Sequence, residues 1–277
     1  MSITPDGVQI GPLTLSFFGL IVVAALAVGG GISWLEARRR GEDPAIVLDA
    51  LTWGLLFGVI AARLFYVWNP PPSVAAYYDR RWYLTHLFDL QAGPLAIWSG
   101  GLGMAGALAG GLLGVYLWLR RRRVDVWRWA DILMPGALAG LTISAWANLV
   151  NRQMYGPPTD LPWGMVIAHP VPPYDVYPPG TRFHPTPAYL SLWALIVLGI
   201  VWGVRLRWKE RLRQGELSLL ATLLYAPGLF LADFLRVDVN HGLLGLTGTQ
   251  ALALLLFGGA GWLLWRRLRT GGSPPVS

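Results

Sequence analysis

Cysteine is absent from all 277 residues. That excludes disulfides, a thiolate nucleophile and a thiolate metal site, so any thiol chemistry must use a substrate's thiol. Charge is scarce: Asp, Glu, Lys and Arg make up 13% of the chain, about half the share of a soluble domain. Hydrophobic residues make up 54%, the composition of an integral membrane protein. No His/Asp/Glu set has metal-ligand spacing. No nucleophile elbow and no P-loop occurs. The net charge of +7 does not point to nucleic acid, because the basic residues stand beside apolar runs, where a positive-inside bias puts them. The N-terminus, MSITPDGVQIGPL, lacks a basic n-region and a small-residue cleavage site. It is expected to be a retained outer segment and not a signal peptide.

Seven apolar runs are present, at about 13–35, 46–68, 95–119, 130–150, 187–206, 217–235 and 246–265. Each is near the ~20 residues that a helix needs to cross ~30 Å of hydrocarbon. They predict an all-α integral membrane protein, a single transmembrane domain of seven helices over 1–277. Sixteen Lys/Arg fall at 38–40, 120–128, 205–213 and 266–269, against five at Arg80, Arg81, Arg152, Arg182 and Arg236. The N-terminus is therefore expected outside and the C-terminus in the cytoplasm. The long outer loops 69–94 and 151–186 are expected to form a small cap, with Trp163, Tyr174, Tyr177 and Phe183 to bury. Gly106, Gly110 and Gly114 repeat every four residues and suit close helix packing. Gly100–Gly101 could instead let backbone N–H groups approach an anion. No internal repeat or matching pair of broken spans suggests a transporter.

The polar residues of interest gather at one membrane boundary. Asn148 and Asn151 are three apart, so a continuing helix would put them on one face, ahead of Gly156. Asn148 reads either as a bond to a neighbouring helix or as part of a wet site. Arg63 lies inside an apolar span with Tyr66 at i+3. It reads as a functional cation or as one that snorkels to the interface. Asp233 and Arg236 are spaced to pair, either as a boundary ion pair or to hold an arginine for phosphate. His184 precedes span five and reads as an idle loop residue or as a general base near neutral pH.

These residues resemble the prolipoprotein diacylglyceryl transferase family of bacteria, over nearly the whole chain. The family's Tyr-Gly pair in span one stands here as Phe18–Gly19. Its span-two arginine and tyrosine stand as Arg63 and Tyr66. Its span-three histidine before two glycines is Ser99 before Gly100–Gly101. Its signature, Gly-Arg-x-Gly/Ala-Asn-Phe-x-Asn-x-Glu-x-x-Gly, runs from Ser144 to Gly156, with Ala145 at the arginine, Asn148 and Asn151 retained, and Gln153 at the glutamate. Its His-Pro-x-x-x-Tyr-Glu stretch begins with His184 and Pro185, keeps Tyr189 and ends on Leu190. Its span-six arginine, acid and arginine are Leu229, Asp233 and Arg236.

The resemblance implies transfer of a diacylglyceryl group from phosphatidylglycerol, or another anionic phospholipid, to the lipobox cysteine thiol of a prolipoprotein. It implies a monomer in the bacterial cytoplasmic membrane, with no cofactor, no metal and no nucleic acid. His184, Arg236 and Arg63 would be catalytic. Asn148, Asn151, Gly100, Gly101, Tyr66, Tyr189, Asp233 and Gly156 would bind lipid or substrate. The alternatives are a lipid- or signal-peptide-binding member without catalysis, or a transferase with a changed donor or acceptor.

Overall fold

The computed structural model describes residues 2–4, 7–10, 13–75, 77–208 and 211–269. The N-terminal segment is a three-stranded antiparallel meander: β1 (Ser2–Thr4), β2 (Gly7–Ile10) and β3 (Leu13–Ser16). Span one was expected from residue 13. The helix α1 (Phe17–Arg39) begins later because Leu13–Ser16 pairs with β2 and Ser16 caps the helix, its hydroxyl accepting from the Gly19 N–H at 3.1 Å. Next come α2 (Ala45–Trp68), the short α3 (Pro72–Ala75) and α4 (Arg80–Thr85), then α5 (Met104–Arg121) and α6 (Val126–Val150). A two-stranded sheet, β4 (Met165–Val166) with β5 (Arg182–Phe183), precedes α7 (Thr186–Trp208), α8 (Glu216–Phe234) and α9 (Gly248–Arg269). The protein is thus helical with two small sheets.

Six helices, α1, α2, α6, α7, α8 and α9, are long and apolar enough to cross a membrane. The expected third span is different. Residues 95–103 are not part of a regular span; a 3-10 turn forms at Ile97–Ser99, and Gly100 and Gly101 both have positive φ. Consecutive residues at positive φ cannot continue a right-handed helix, and α5 starts only at Met104. Its 18 residues extend about 27 Å.

α5 lies against α2 along its glycines. A Cβ at Gly106, Gly110 or Gly114 would come within 2.3–2.5 Å of α2 atoms, including the Ala61, Phe57 and Trp53 carbonyls. α1 and α6 make a similar crossing, where Gly29 and Gly136 each face the other's carbonyl oxygen. Small residues let backbones approach where lipid gives no hydrophobic drive to associate.

The arginine-rich segments meet at one end of the bundle. Glu36, 3% exposed, bonds Arg40 at 2.7 Å and also Arg205, tying α1 to α7. Arg122 pairs with Asp49 at 2.9 Å and Arg128 with Glu42 at 2.6 Å. Buried Asp131 accepts from the Gly215 and Ser218 N–H groups at 2.7 and 2.8 Å, so an acid of α6 caps the start of α8. Such buried charges are tolerated because each is paired or hydrogen-bonded.

Candidate active site

The polar residues sort into three hydrogen-bonded groups. In the first, Arg63 is 5% exposed on the last turns of α2. Its Nε donates to the Pro94 carbonyl at 3.0 Å, Nη1 to Gly100 and Gly101 at 2.5 and 3.1 Å, and Nη2 to Gly93 at 2.7 Å. It does not snorkel and finds no carboxylate among the described residues; it gathers the carbonyls of one loop. Tyr66 lies under the guanidinium, 5.6 Å from ring centre to Cζ, and meets buried Tyr83 edge-on. Gly101 fits between them, since a Cβ there would lie 2.6 Å from the Tyr66 ring and 2.7 Å from Arg63 Nη1. Asp89 secures the start of this loop. The Ala92 N–H, and after it the Gln91 N–H, donate to it and hold its carboxyl below the usual carboxylate range.

The second group centres on Arg236. Its Nη1 bonds Asp233 at 3.1 Å and its Nε bonds Asp238 at 3.0 Å. Asp233 also accepts from the Thr247 hydroxyl, and Asp238 from the Met154 N–H at 3.0 Å. Two carboxylates therefore face one guanidinium. Asp238 and Thr247 were not foreseen, although Asp238 stands only two residues beyond Arg236.

In the third group, His184 Nδ1 is 2.9 Å from the Tyr189 hydroxyl, which also accepts from Trp163 Nε1 at 3.3 Å. The turn after α6 joins this group to the second. The Gly156 N–H donates to the His184 carbonyl at 2.9 Å, and the Val237 N–H to the Tyr155 carbonyl at 3.2 Å. Gly156 is wedged in place: a Cβ would lie 2.7 Å from the Leu235 carbonyl oxygen and 2.9 Å from His184 Cβ. Arg152 and Met154 have positive φ in this turn, which is uncommon backbone of the kind that collects at functional sites.

Asn148 and Asn151 differ in exposure. α6 ends at Val150, so Asn151 lies past the helix with an exposed side chain. Asn148 lines a small cavity of about 50 Å³, with Ser144, Ala145, Met154, Leu190 and Tyr225 among its neighbours. Among the described residues, no hydrogen bond or ion pair links Arg63 to Asn148, Asn151 or Arg236. The 151–186 loop has a core of its own, Tyr155, Ile167 and Phe183, with Tyr174 against it. Trp163, expected to be buried there, is 59% exposed and spends its N–H on Tyr189.

A family model described as prolipoprotein diacylglyceryl transferase matches residues 5–266. The chain belongs to that family. Relatives named phosphatidylglycerol–prolipoprotein diacylglyceryl transferase agree with this. One from Synechococcus elongatus is 32% identical over 94% of this chain and 86% of its own length. One from Trichormus variabilis is 31% identical over 98% of this chain and 93% of its own. The match to one from Frankia alni, 34% identical over 86% of this chain, spans 59% of that protein. With its six apolar helices, the chain is a multi-pass membrane protein of a bacterial family.

Five positions at which this chain departs from the family signature it resembles can be placed. Ala145 and Leu190 line the Asn148 cavity together, and Leu229, 1% exposed, packs in one core cluster with Leu190 and Met154. Ser99 and Gln153 are exposed, with the Ser99 hydroxyl turned onto the Ala96 carbonyl at 2.7 Å. Ala145, Leu190 and Leu229 thus lie in one apolar region.

Proposed function

We propose that this chain transfers a diacylglyceryl group from phosphatidylglycerol to the lipobox cysteine of a prolipoprotein, at the outer face of the bacterial cytoplasmic membrane. The observation that carries this reading is the 153–156 turn, bonded to His184 on one side and to the Arg236–Asp238 segment on the other. It ties the backbone of His184, the one retained imidazole, to the segment that carries Arg236. We further infer that α5 is the seventh span, that loops 69–94 and 151–186 form the outer cap, and that the chain works as a monomer with the N-terminus outside.

His184 Nε2 takes the thiol proton. For that, Nδ1 carries its hydrogen and donates it to Tyr189 Oη. The sulfur attacks the diacylglyceryl carbon that bears the phosphate ester oxygen. A C–S bond forms, the C–O bond breaks, and glycerol phosphate leaves with the electron pair. Arg236 stabilises the leaving phosphate, and Asp233 orients Arg236. Arg63, supported by Tyr66, adds positive charge and holds Gly100 and Gly101 open to the head group. Asn148 and Asn151 hydrogen-bond the lipid, and Gly156 keeps the turn in register with His184.

The test is a phosphatidylglycerol nanodisc assay with a lipobox peptide, reading glycerol phosphate release and peptide mass. The expected result is release by the wild type and a loss of about 10²-fold or more in His184→Ala. No release by the wild type, or equal rates in both proteins, overturns the proposal. The apolar lining at Ala145 and Leu190 favours one second reading, a lipid- or signal-peptide-binding member without catalysis. That reading expects peptide binding with no glycerol phosphate release.

A further inference from the structure

Two carboxylates hold Arg236, and only Asp233 has a role in the proposed transfer. Asp233 meets Nη1 at 3.1 Å and also takes the Thr247 hydroxyl hydrogen, which anchors it to the buried start of α9. Thr247 and Gln250 form a reciprocal cap there. The Gln250 N–H donates to Thr247 Oγ1 and the Thr247 N–H to Gln250 Oε1, both at 3.0 Å. Asp238 holds a different nitrogen from a different element. Its Oδ1 accepts from Arg236 Nε at 3.0 Å, and its Oδ2 accepts from the Met154 N–H, also at 3.0 Å. Met154 is 7% exposed with a φ of 58°, so this one carboxylate meets the N–H of a buried residue in uncommon backbone. Beside that bridge, the Val237 N–H donates to the Tyr155 carbonyl, and the Gly156 N–H to the His184 carbonyl. Asp238 thus spans from the Arg236 guanidinium to the turn that is bonded to His184.

A guanidinium carries five N–H donors. The two carboxylates take one on Nε and one on Nη1, and Nη2 has no acceptor among the described residues. A single contact at Nη1 would let the planar group pivot about it. The second contact, at Nε, sets the angle of the plane and so the direction in which Nη2 points. Two-pronged binding of a phosphate depends on that direction. The charge of Asp238 has the opposite effect. Together with Asp233 it leaves more negative than positive charge around Arg236, which repels an anionic phosphate. Any gain in transfer from Asp238 therefore comes through orientation, and the two effects differ in sign.

We propose that Asp238 is a positioning residue, which sets the Arg236 guanidinium in register with the turn bonded to His184. The part played by Arg236 in transfer rests on the transferase reading; the bridge itself can be read without catalysis. Full-length wild type, Asp238→Asn and Asp238→Glu are compared in mixed micelles of varied phosphatidylglycerol content with a lipobox peptide. Asparagine keeps the size but loses the charge and one of the two acceptors. Glutamate keeps the charge and moves the carboxylate out by one methylene. The expected result for Asp238→Asn is a kcat lower by about tenfold or more, with KM for phosphatidylglycerol within about twofold of wild type. Asp238→Glu should lose about threefold or more in kcat. An effect of charge alone would raise the rate of Asp238→Asn and leave Asp238→Glu unchanged, and either result overturns the proposal. Nuclear magnetic resonance of isotope-labelled arginine reads the bridge directly. The Arg236 Nε–H signal, assigned by its loss in Arg236→Lys, should exchange with solvent about tenfold faster in Asp238→Asn and at the wild-type rate in His184→Ala. Unchanged exchange in Asp238→Asn overturns the proposal even where transfer is impaired. If the wild type releases no glycerol phosphate, the transferase reading fails and this exchange rate alone decides the inference. Loss of the thermal transition in both Asp238 variants would make Asp238 a folding residue and overturn the proposal as well.

Discussion

Arg63 places four N–H groups on four carbonyls of one loop, between Gly93 and Gly101. Its apolar neighbours in sequence already showed that it needed partners. They could not show which, because backbone carbonyls some thirty residues away leave no mark in a sequence. Asp238 was missed for a related reason: its second partner is the Met154 N–H, presented by a turn with uncommon backbone. Retained residue types were legible one by one, but their grouping was not. Arg63→Ala removes the donor from all four carbonyls, and where the bond is buried, as at Gly93, the unmet acceptor costs about 1–3 kcal/mol. We expect a thermal midpoint in detergent lower by several degrees and new proteolytic cleavage between Gly93 and Gly103. Arg63→Lys should recover only part, because an ammonium lacks the planar fork that reaches carbonyls on several sides. A variant that melts and digests like the wild type would mean the loop holds itself.

The long helices were legible because their apolar runs match the length of a bilayer crossing, and most observed boundaries fall within a few residues of those runs. Two starts were not. Residues 13–16 are as apolar as a helix start but pair as a strand, and 95–103 is apolar but broken by its glycines. In both cases composition was read correctly and conformation was set by local partners. The 151–186 loop forms a further small element, with a titratable group in its core. Tyr155 is 5% exposed, and its hydroxyl accepts from the Val171 N–H at 2.7 Å. Burial pushes its phenol up, and the charge of Asp238 adds to this, against the opposing Val171 bond. A raised phenol pKa means that the folded loop favours the protonated form. That stabilisation is complete below the ordinary value of about 10 and is lost as pH rises through the raised value. A fluorophore on Asp175→Cys should therefore report reversible loosening of the loop only above about pH 10. Tyr155→Phe should abolish the alkaline change while costing about 1 kcal/mol at neutral pH for the orphaned Val171 N–H. Loosening at the same pH in both proteins would assign it to another group.

At the scale of the whole molecule, charge and packing point the same way. Of the sixteen basic residues identified by sequence, Arg122, Arg128 and Arg205 are tied to Asp49, Glu42 and Glu36 at one end of the bundle, and Lys209 lies outside the described residues. The opposite end carries His184, Arg236 and the 151–186 loop. A positive-inside bias counts lysines and arginines close to the spans, and here the excess is concentrated where α1, α2, α5, α6, α7 and α8 turn. Internal ion pairs cancel part of that charge in the folded state, but the bias acts on the chain as it inserts, before those pairs form. The His184 end should therefore lie outside. Asp175→Cys, as the sole thiol, is expected to react with a membrane-impermeant maleimide on intact cells or spheroplasts. Arg211→Cys, on the arginine-rich side, should react only after permeabilisation. Both positions are exposed, so failure to label reports the barrier and not burial. The reverse pattern would place the proposed thiol-alkylating site in the cytoplasm, out of reach of an exported lipobox peptide, and would remove both the topology and the reaction assigned to it.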